Sequence, residues 1–337
     1  MTTKSLRWAV PIALIACLTI AVLATMPDGP AHAGTAFAML INTANLNGLR
    51  VGFKTSFQKG LEQAASQYTR IATVVPSSTG EEKYGWLGKI AGVREWIGPR
   101  IVQNIAEHDY AVKNKDFELT IGVARNHIAD DTLGMYSVIF ENFGESVKAW
   151  PDELVFALLK VAHQTKCYDG QFYFDTDHPV IQADGSTASV ANSFSGAGTP
   201  WFLLVVNRTL KPIIWQLRNK GEFVALDKLD DDNVFRNKEF QYGWDGRGNA
   251  GLGFWQMATR STKTLDATGF EEALTALGSM KGDHGRPLNL LNGAKPLLVV
   301  PRSLQGTANG VVQSQLVNGG ETNKWAGTAE VFVCDWL

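Results

Sequence analysis

Residues 84–99 read YGWLGKIAGVREWIGP, a run in which Tyr84, Trp86 and Trp96 are interspersed with four glycines and no helical or strand period holds. Glycine leaves the backbone permissive, whereas a large aromatic ring must be buried somewhere. This composition predicts an extended loop whose rings need a surface to pack against. Just beyond it, Tyr110 to Val112 and Phe117 to Val123 alternate around Asn114-Lys115-Asp116, which reads as a β-hairpin with a short polar turn.

Upstream, Leu46, Leu49, Phe53, Phe57, Leu61, Ala65 and Tyr68 recur every three or four residues and predict an amphipathic helix from Thr43 to Tyr68. Downstream, Met135, Ile139, Phe143 and Val147 mark a second helix, opened by Asp130 and Asp131 and interrupted at Trp150-Pro151. Pro151 with Asp152 and Glu153 behind it is a fresh helix start, which carries on to about Gln164. Residues 167–198 are loop-like, and Trp201 to Val206 is a buried-type strand. Phe235 to Trp244 and Leu252 to Thr259 flank Asp245-Gly246-Arg247-Gly248-Asn249 and read as another hairpin. Helices over Phe270–Met280 and Ser303–Val312, with strands over Pro296–Val300 and Ala329–Val333, complete an α+β chain. Long excursions leave a modest core, and no segment repeats.

Hydrophobic residues make up 45% of the 337 and charged residues 19%, which excludes wholesale disorder. The net charge of −2 comes with no dense run of Lys or Arg, so no basic footprint for nucleic acid is present. Cys17, Cys167 and Cys334 are too few and too scattered for a disulfide framework or a CxxC metal site.

Residues 246–251, GRGNAG, match the dinucleotide pattern GxGxxG. That motif works only where a strand leads in and a helix opens behind it, and Leu252-Gly253-Phe254-Trp255 is poor helix. Asp175, Asp177 and His178 could supply metal ligands to a hydrolase, but Pro179 and the polar surroundings make the stretch a turn. Asp230-Asp231-Asp232-Asn233 reads as a solvated loop. Cys167 lies four residues from His163, which is weak as a nucleophile pair. The sequence therefore predicts no enzyme, no cofactor and no metal.

The first residues carry a different signal. Lys4 and Arg7 precede an apolar run from Trp8 to Ala24, and Ala31-His32-Ala33 resembles a leader cleavage site. Taken alone this favours a secreted periplasmic binding protein. The alternative start at Met39 predicts that residues 1–38 take no part in the mature fold.

From Met39 onward a resemblance covers nearly the whole chain. Its carriers are MLINTANLNGLRVGFKTSFQKG from Met39, KYGWLGKIAGVREWIG from Lys83 and KNKDFELTIGVARNHIADD from Lys113. CYDGQFYFDTDHP from Cys167, GTPWFLLVVNRTLKPIIWQ from Gly198 and DDDNVFRNKEFQYGWDGRGNAGLGFWQM from Asp230 follow. MKGDHGRPL from Met280 and NKWAGTAEVFV from Asn323 close the set. These strings resemble the major head subunits of Mu-like phages and prophages. The resemblance implies the tailed-phage major capsid fold (the Johnson fold, Hong Kong 97 type). It also implies an N-terminal arm at 39–76, an extended β-hairpin loop at 77–125 and a peripheral domain with a spine helix at 126–200. An axial domain at 201–313 and a C-terminal return at 314–337 complete it. Implied with the fold are pentamers and hexamers forming an icosahedral shell, with a scaffold and a head-maturation protease as assembly partners. Packaged DNA is held without sequence readout, no membrane is involved, and assembly takes place in the host cytoplasm. Tyr84, Trp86, Trp96 and Phe117 are the expected inter-subunit contacts, and residues 40–130 are expected to pack poorly on their own subunit. The mature particle is expected to begin at or near Met39, and an intact mass from purified heads that includes the first 38 residues would contradict this.

Overall fold

The structure, a computed structural model, describes residues 42–85, 87, 110–130, 134–182, 184–282, 285–317 and 319–337. The leader, Trp86, Trp96 and Asp131 lie outside the described residues.

Helix α1, Thr43–Gln63, is opened by Asn42, whose side chain accepts a hydrogen bond from the Asn45 amide at 2.9 Å. It buries Leu46, Phe53 and Phe57. It stops short of Tyr68 because the Asp152 carboxylate takes the backbone amides of Gln67 and Tyr68 and the Ser66 hydroxyl, pulling the chain out of helical geometry. Strands β1 (Ala72–Pro76), β2 (Glu81–Lys83), β3 (Ala111–Lys113) and β4 (Lys115–Ala124) lead to the short helix α2 (Arg125–Ala129) and the 27-residue α3 (Met135–Val161).

Three sequence expectations are corrected in this region. Asp130 is the C-cap of α2 rather than the start of a helix, and α3 begins behind Gly134. Pro151 does not restart a helix but sits buried inside α3. An interior proline costs about 3 kcal/mol, and α3 carries it because both of its halves are gripped. Phe140, Phe143 and Val147 pack into one core, and Val155, Phe156 and Leu159 into another. The expected hairpin around Asn114-Lys115-Asp116 is absent. β3 pairs with β2 while β4 pairs with a distant strand, and Asn114 between them is buried.

The remaining elements are β5 (His178–Ile181), β6 (Thr187–Val190), β7 (Ser193–Phe194), β8 (Trp201–Leu204), β9 (Ile213–Asn219), β10 (Phe223–Leu226), α4 (Asp232–Asn237) and β11 (Glu239–Leu252). After them come β12 (Ala258–Ser261), α5 (Ala267–Gly278), β13 (Leu297–Pro301), α6 (Gln305–Val312), β14 (Leu316–Val317), β15 (Glu321–Thr322) and β16 (Glu330–Cys334). β11 is the second hairpin corrected: residues 239–252 form one 14-residue strand that runs straight through Gly246 to Gly251. A register shift at Arg247/Gly248 absorbs the irregularity. A Cβ on Gly248 would lie 2.6 Å from the Gln216 carbonyl oxygen, so the glycine marks a close backbone approach and not a phosphate cradle.

Two five-stranded sheets result. In the first, β11 pairs with β4 along residues 239–248, with β10, and with β9, which in turn pairs in parallel with β1. The second runs β16-β13-β8-β12-β7. The boundary expected at residue 201 does not separate these sheets, because β9, β10 and β11 join the layer that packs with α1 and α3. Part of the arm also packs on its own subunit, contrary to expectation: Phe53 stacks on Phe140 at 4.2 Å, and Phe57 meets Phe143 edge-on at 5.1 Å.

The α1–α3 crossing is close enough to require glycine on both sides. A Cβ at Gly60 would lie 2.0 Å from the Glu141 carbonyl oxygen, and one at Gly144 would lie 2.1 Å from that of Phe57. Gly60→Ala or Gly144→Ala should therefore destabilise the subunit by about 1–3 kcal/mol through forced separation of the helices. Gly48→Ala, at an exposed position with nothing within 4 Å, should instead be neutral or add up to about 1 kcal/mol. Urea denaturation midpoints of the three variants test the contrast.

Candidate functional site

Two buried polar clusters stand out, one where Tyr84 and Tyr110 meet β9 and one in the segment after α3. The first centres on Gln216 of β9, which is 0% exposed. Its Nε2 donates to the Val112 carbonyl at 3.0 Å and to Asn114 Oδ1 at 2.7 Å, and its Oε1 accepts from the Tyr84 hydroxyl at 2.8 Å. Asn114 Nδ2 donates in turn to Ser77 Oγ and to the Thr79 carbonyl, both at 2.8 Å. The Tyr84 amide donates to the Tyr110 carbonyl at 2.8 Å, and the Tyr110 hydroxyl accepts from the Leu252 amide at 2.7 Å. Both ends of the segment between Tyr84 and Tyr110 are thus fastened to one knot. Every donor and acceptor named is paired, the condition under which a buried polar network rigidifies a fold. Burial pushes the Tyr110 phenol up to about 12 and the Tyr84 phenol higher still, so both hydroxyls stay protonated.

Two of the four expected contact residues lie among the described residues. Tyr84 is 3% exposed and serves the interior of its own subunit, because the Gln216 amide gives its hydroxyl a buried partner. Phe117 is half-buried, with its ring 5.1 Å from that of Trp150. Trp86 and Trp96 lie outside the described residues. Sequence pattern alone missed Gln216, since a single glutamine in the middle of a strand carries no periodic signal.

The second cluster joins Cys167, Asp169 and His178. Cys167 Sγ donates to Asp169 Oδ1 at 3.0 Å, and His178 Nδ1 lies 2.7 Å from Asp169 Oδ2. The His178 ring is stacked on Trp255 at 3.9 Å with an interplanar angle of 8°. Burial and the neighbouring Asp169 charge hold the Cys167 thiol well above its usual range. Burial alone would raise the Asp169 carboxyl, but hydrogen bonds from His178 and Cys167 outweigh it and keep the group below the usual carboxylate range. Of the three residues weighed as metal ligands from sequence, only His178 takes part. Asp175 accepts the Thr176 and Phe172 amides as a turn residue, and Asp177 is exposed. His163 stands apart from Cys167 and bonds to the Lys160 carbonyl. Asp231 and Asp232 are spent on the Lys228 amide and on Arg236. Cys167 and Cys334 are both free and buried.

Comparison with known proteins decides the family. The family model of the Mu-like prophage major head subunit gpT matches residues 46–337. The chain belongs to this family. It is 40% identical over 309 residues to the major capsid protein of Escherichia phage Mu, covering 89% of this chain and 100% of the phage protein. It is 39% identical over 276 residues to the Mu-like prophage FluMu major head subunit of Haemophilus influenzae, covering 80% of this chain and 88% of that one. Among solved structures it resembles the procapsid of bacteriophage JBD30, at 42% identity and a TM-score of 0.77 over 88% of this chain and all of the other. It also resembles the JBD30 capsid, at 31% identity and a TM-score of 0.70, covering 88% and 99% of the two chains. The fold is that of a tailed-phage capsid protein, α+β as the sequence predicts, and the protein is a structural head subunit, not an enzyme. Nothing in these relatives supports the periplasmic-binding reading. Among the described residues, no helix is long and apolar enough to cross a membrane.

Gln216→Leu should loosen the knot that ties Tyr84 to Asn114. It deprives the Tyr84 hydroxyl, the Val112 carbonyl and Asn114 of a partner, at about 1–3 kcal/mol for each group left unpaired. A loss of at least about 2 kcal/mol in urea denaturation is expected, with hydrogen exchange rising at Tyr84 and Asn114. An unchanged midpoint would show that the knot carries no stability.

Proposed function

We propose that this head subunit assembles as pentamers and hexamers into an icosahedral shell around phage double-stranded DNA. Assembly takes place in the host cytoplasm with a scaffold and a head-maturation protease. In this reading α3 is the spine helix, and residues between Tyr84 and Tyr110 reach from the Gln216 knot toward a neighbouring subunit. Trp86 and Trp96 are then the rings that meet it. DNA is held without sequence readout, in keeping with a chain of net charge −2 and no cationic run.

The observation that carries this reading is apolar surface that one subunit leaves uncovered. Phe235 of α4 is 82% exposed, and Val51, Met135 and Val138 on the α1–α3 pair, with Leu316 and Trp336 near the C-terminal end, are also exposed. Isolated exposed apolar residues are ordinary, but a cluster along one helix pair marks an interaction surface. Copies of one chain cover such surfaces through repeated heterologous contacts that close into rings.

Phe235→Asp is the direct test. The ring touches little of its own subunit, so the stability of the isolated chain should change by no more than about 0.5 kcal/mol. Shell yield, counted by electron microscopy and sedimentation, should fall severalfold. Normal shells from this variant would remove Phe235 from the contact surface.

A further inference from the structure

The Cys167–Asp169–His178 cluster has a composition that hydrogen bonding alone does not explain. Its three donor atoms are a thiol sulfur, a carboxylate oxygen and an imidazole nitrogen, all within 4.8 Å of one another. Cys167 and Asp169 sit two residues apart in one turn, and His178 opens β5 on the return of the chain. The ligand set is therefore assembled across a short loop, as in compact structural metal sites. Cys167 is 5% and His178 0% exposed, while the Asp169 side chain keeps a narrow opening to solvent at 11%.

We propose that these three side chains form a structural site for a divalent transition metal of the zinc class. Sulfur, imidazole and carboxylate together are the borderline-soft set that zinc selects over magnesium or calcium. A tetrahedral zinc, about 2.0–2.3 Å from each donor, would hold the donors roughly 3.3–3.7 Å apart. The separations of 3.0 Å for Sγ to Oδ1 and 2.7 Å for Nδ1 to Oδ2 reach the two different oxygens of Asp169, and with the whole set inside 4.8 Å each donor has to adjust by about 1 Å to reach this geometry. The opening at Asp169 leaves the fourth position to water.

Charge points the same way. Among the described residues no Lys or Arg pairs with Asp169, whose one ionisable cation-forming neighbour is His178. A divalent ion bound by thiolate, carboxylate and neutral imidazole gives a cluster of zero net charge, which suits a buried site. Binding releases the thiol proton to solvent, and the imidazole binds through the Nδ1 lone pair with its proton on Nε2. Among the described residues Nε2 has no hydrogen-bond partner, so Nδ1 is the nitrogen committed to the cluster. Stacking on Trp255 fixes the ring in that orientation. Among the described residues, the regular structure of the stabilised segment 167–194 is strands of two to four residues.

The site goes beyond the head-subunit reading and does not depend on it. The full-length chain, as purified subunits or assembled heads, is equilibrated with zinc, dialysed against metal-free buffer and analysed for metal. Stoichiometric zinc is expected, lost in Cys167→Ser and in His178→Gln but kept in Asp177→Ala and Cys334→Ala. Cobalt(II) in place of zinc should give a thiolate-to-metal charge-transfer band in the unmutated chain, a readout that requires no variant to fold. No retained zinc and no such band from the unmutated chain would overturn the proposal. Equal metal in the Cys167 and His178 variants would do the same, by showing an adventitious ion only.

Discussion

Trp150 stands where two hydrophobic cores meet. Its indole ring meets Trp215 edge-on at 5.0 Å on one side and Trp244 at 5.2 Å on the other, with Phe117 at 5.1 Å. Trp215 belongs to the larger core, which draws on both sheets and the C-terminal half of α3. Trp244 belongs to the smaller one, beneath α1 and the N-terminal half of α3. Because α3 is continuous through both, neither core can shift without moving the other. The helix survives its internal Pro151 for the same reason: tertiary packing on both sides exceeds a local penalty of about 3 kcal/mol. α1 then needs only its glycine-lined crossing at Gly60 and Gly144 to lie flat on this frame.

Much of the architecture was legible in sequence where one physical signal dominated. The apolar stripe from Leu46 to Phe57 and the unbroken run Trp201 to Leu204 each had a single reading, and the structure has a helix and a buried strand there. Reading went astray where a local signal was answered by a distant partner. Glycines at 246, 248 and 251 carry a turn signal, yet they are thin places in a strand, crowded by the Trp244 ring of the same strand at 246 and by neighbouring chain at 248 and 251. Asn114 looked like a turn residue because its amide serves turns well. Here the same amide satisfies Ser77, Thr79 and Gln216 inside the protein. Pro151 looked like a boundary because no window of sequence contains the two cores that flank it.

The polar clusters were harder to foresee. The aromatic run marks Tyr84 for packing, but its hydroxyl turns it inward to Gln216, 132 residues away in sequence. In sequence His178 stands beside Asp175 and Asp177, whereas in the fold it bonds to Asp169, which also holds Cys167. Alternation along β5 and the turn before it set that choice, placing Asp177 toward solvent and His178 inside. A list of ligand-type residues cannot make that distinction until the strand is known.

The long strand β11 has a mechanical consequence. It shares ten consecutive register positions with β4 and, past its bulge, five with β9. Tension applied along this strand is resisted in shear, since all rungs of a ladder must slip together before any gives way. Tension applied across it would peel the rungs singly, and on that side α1 and α3 lie over the sheet. The subunit is accordingly stiff along one axis and more compliant across it, so a shell of such subunits would stretch unequally in different directions as it fills.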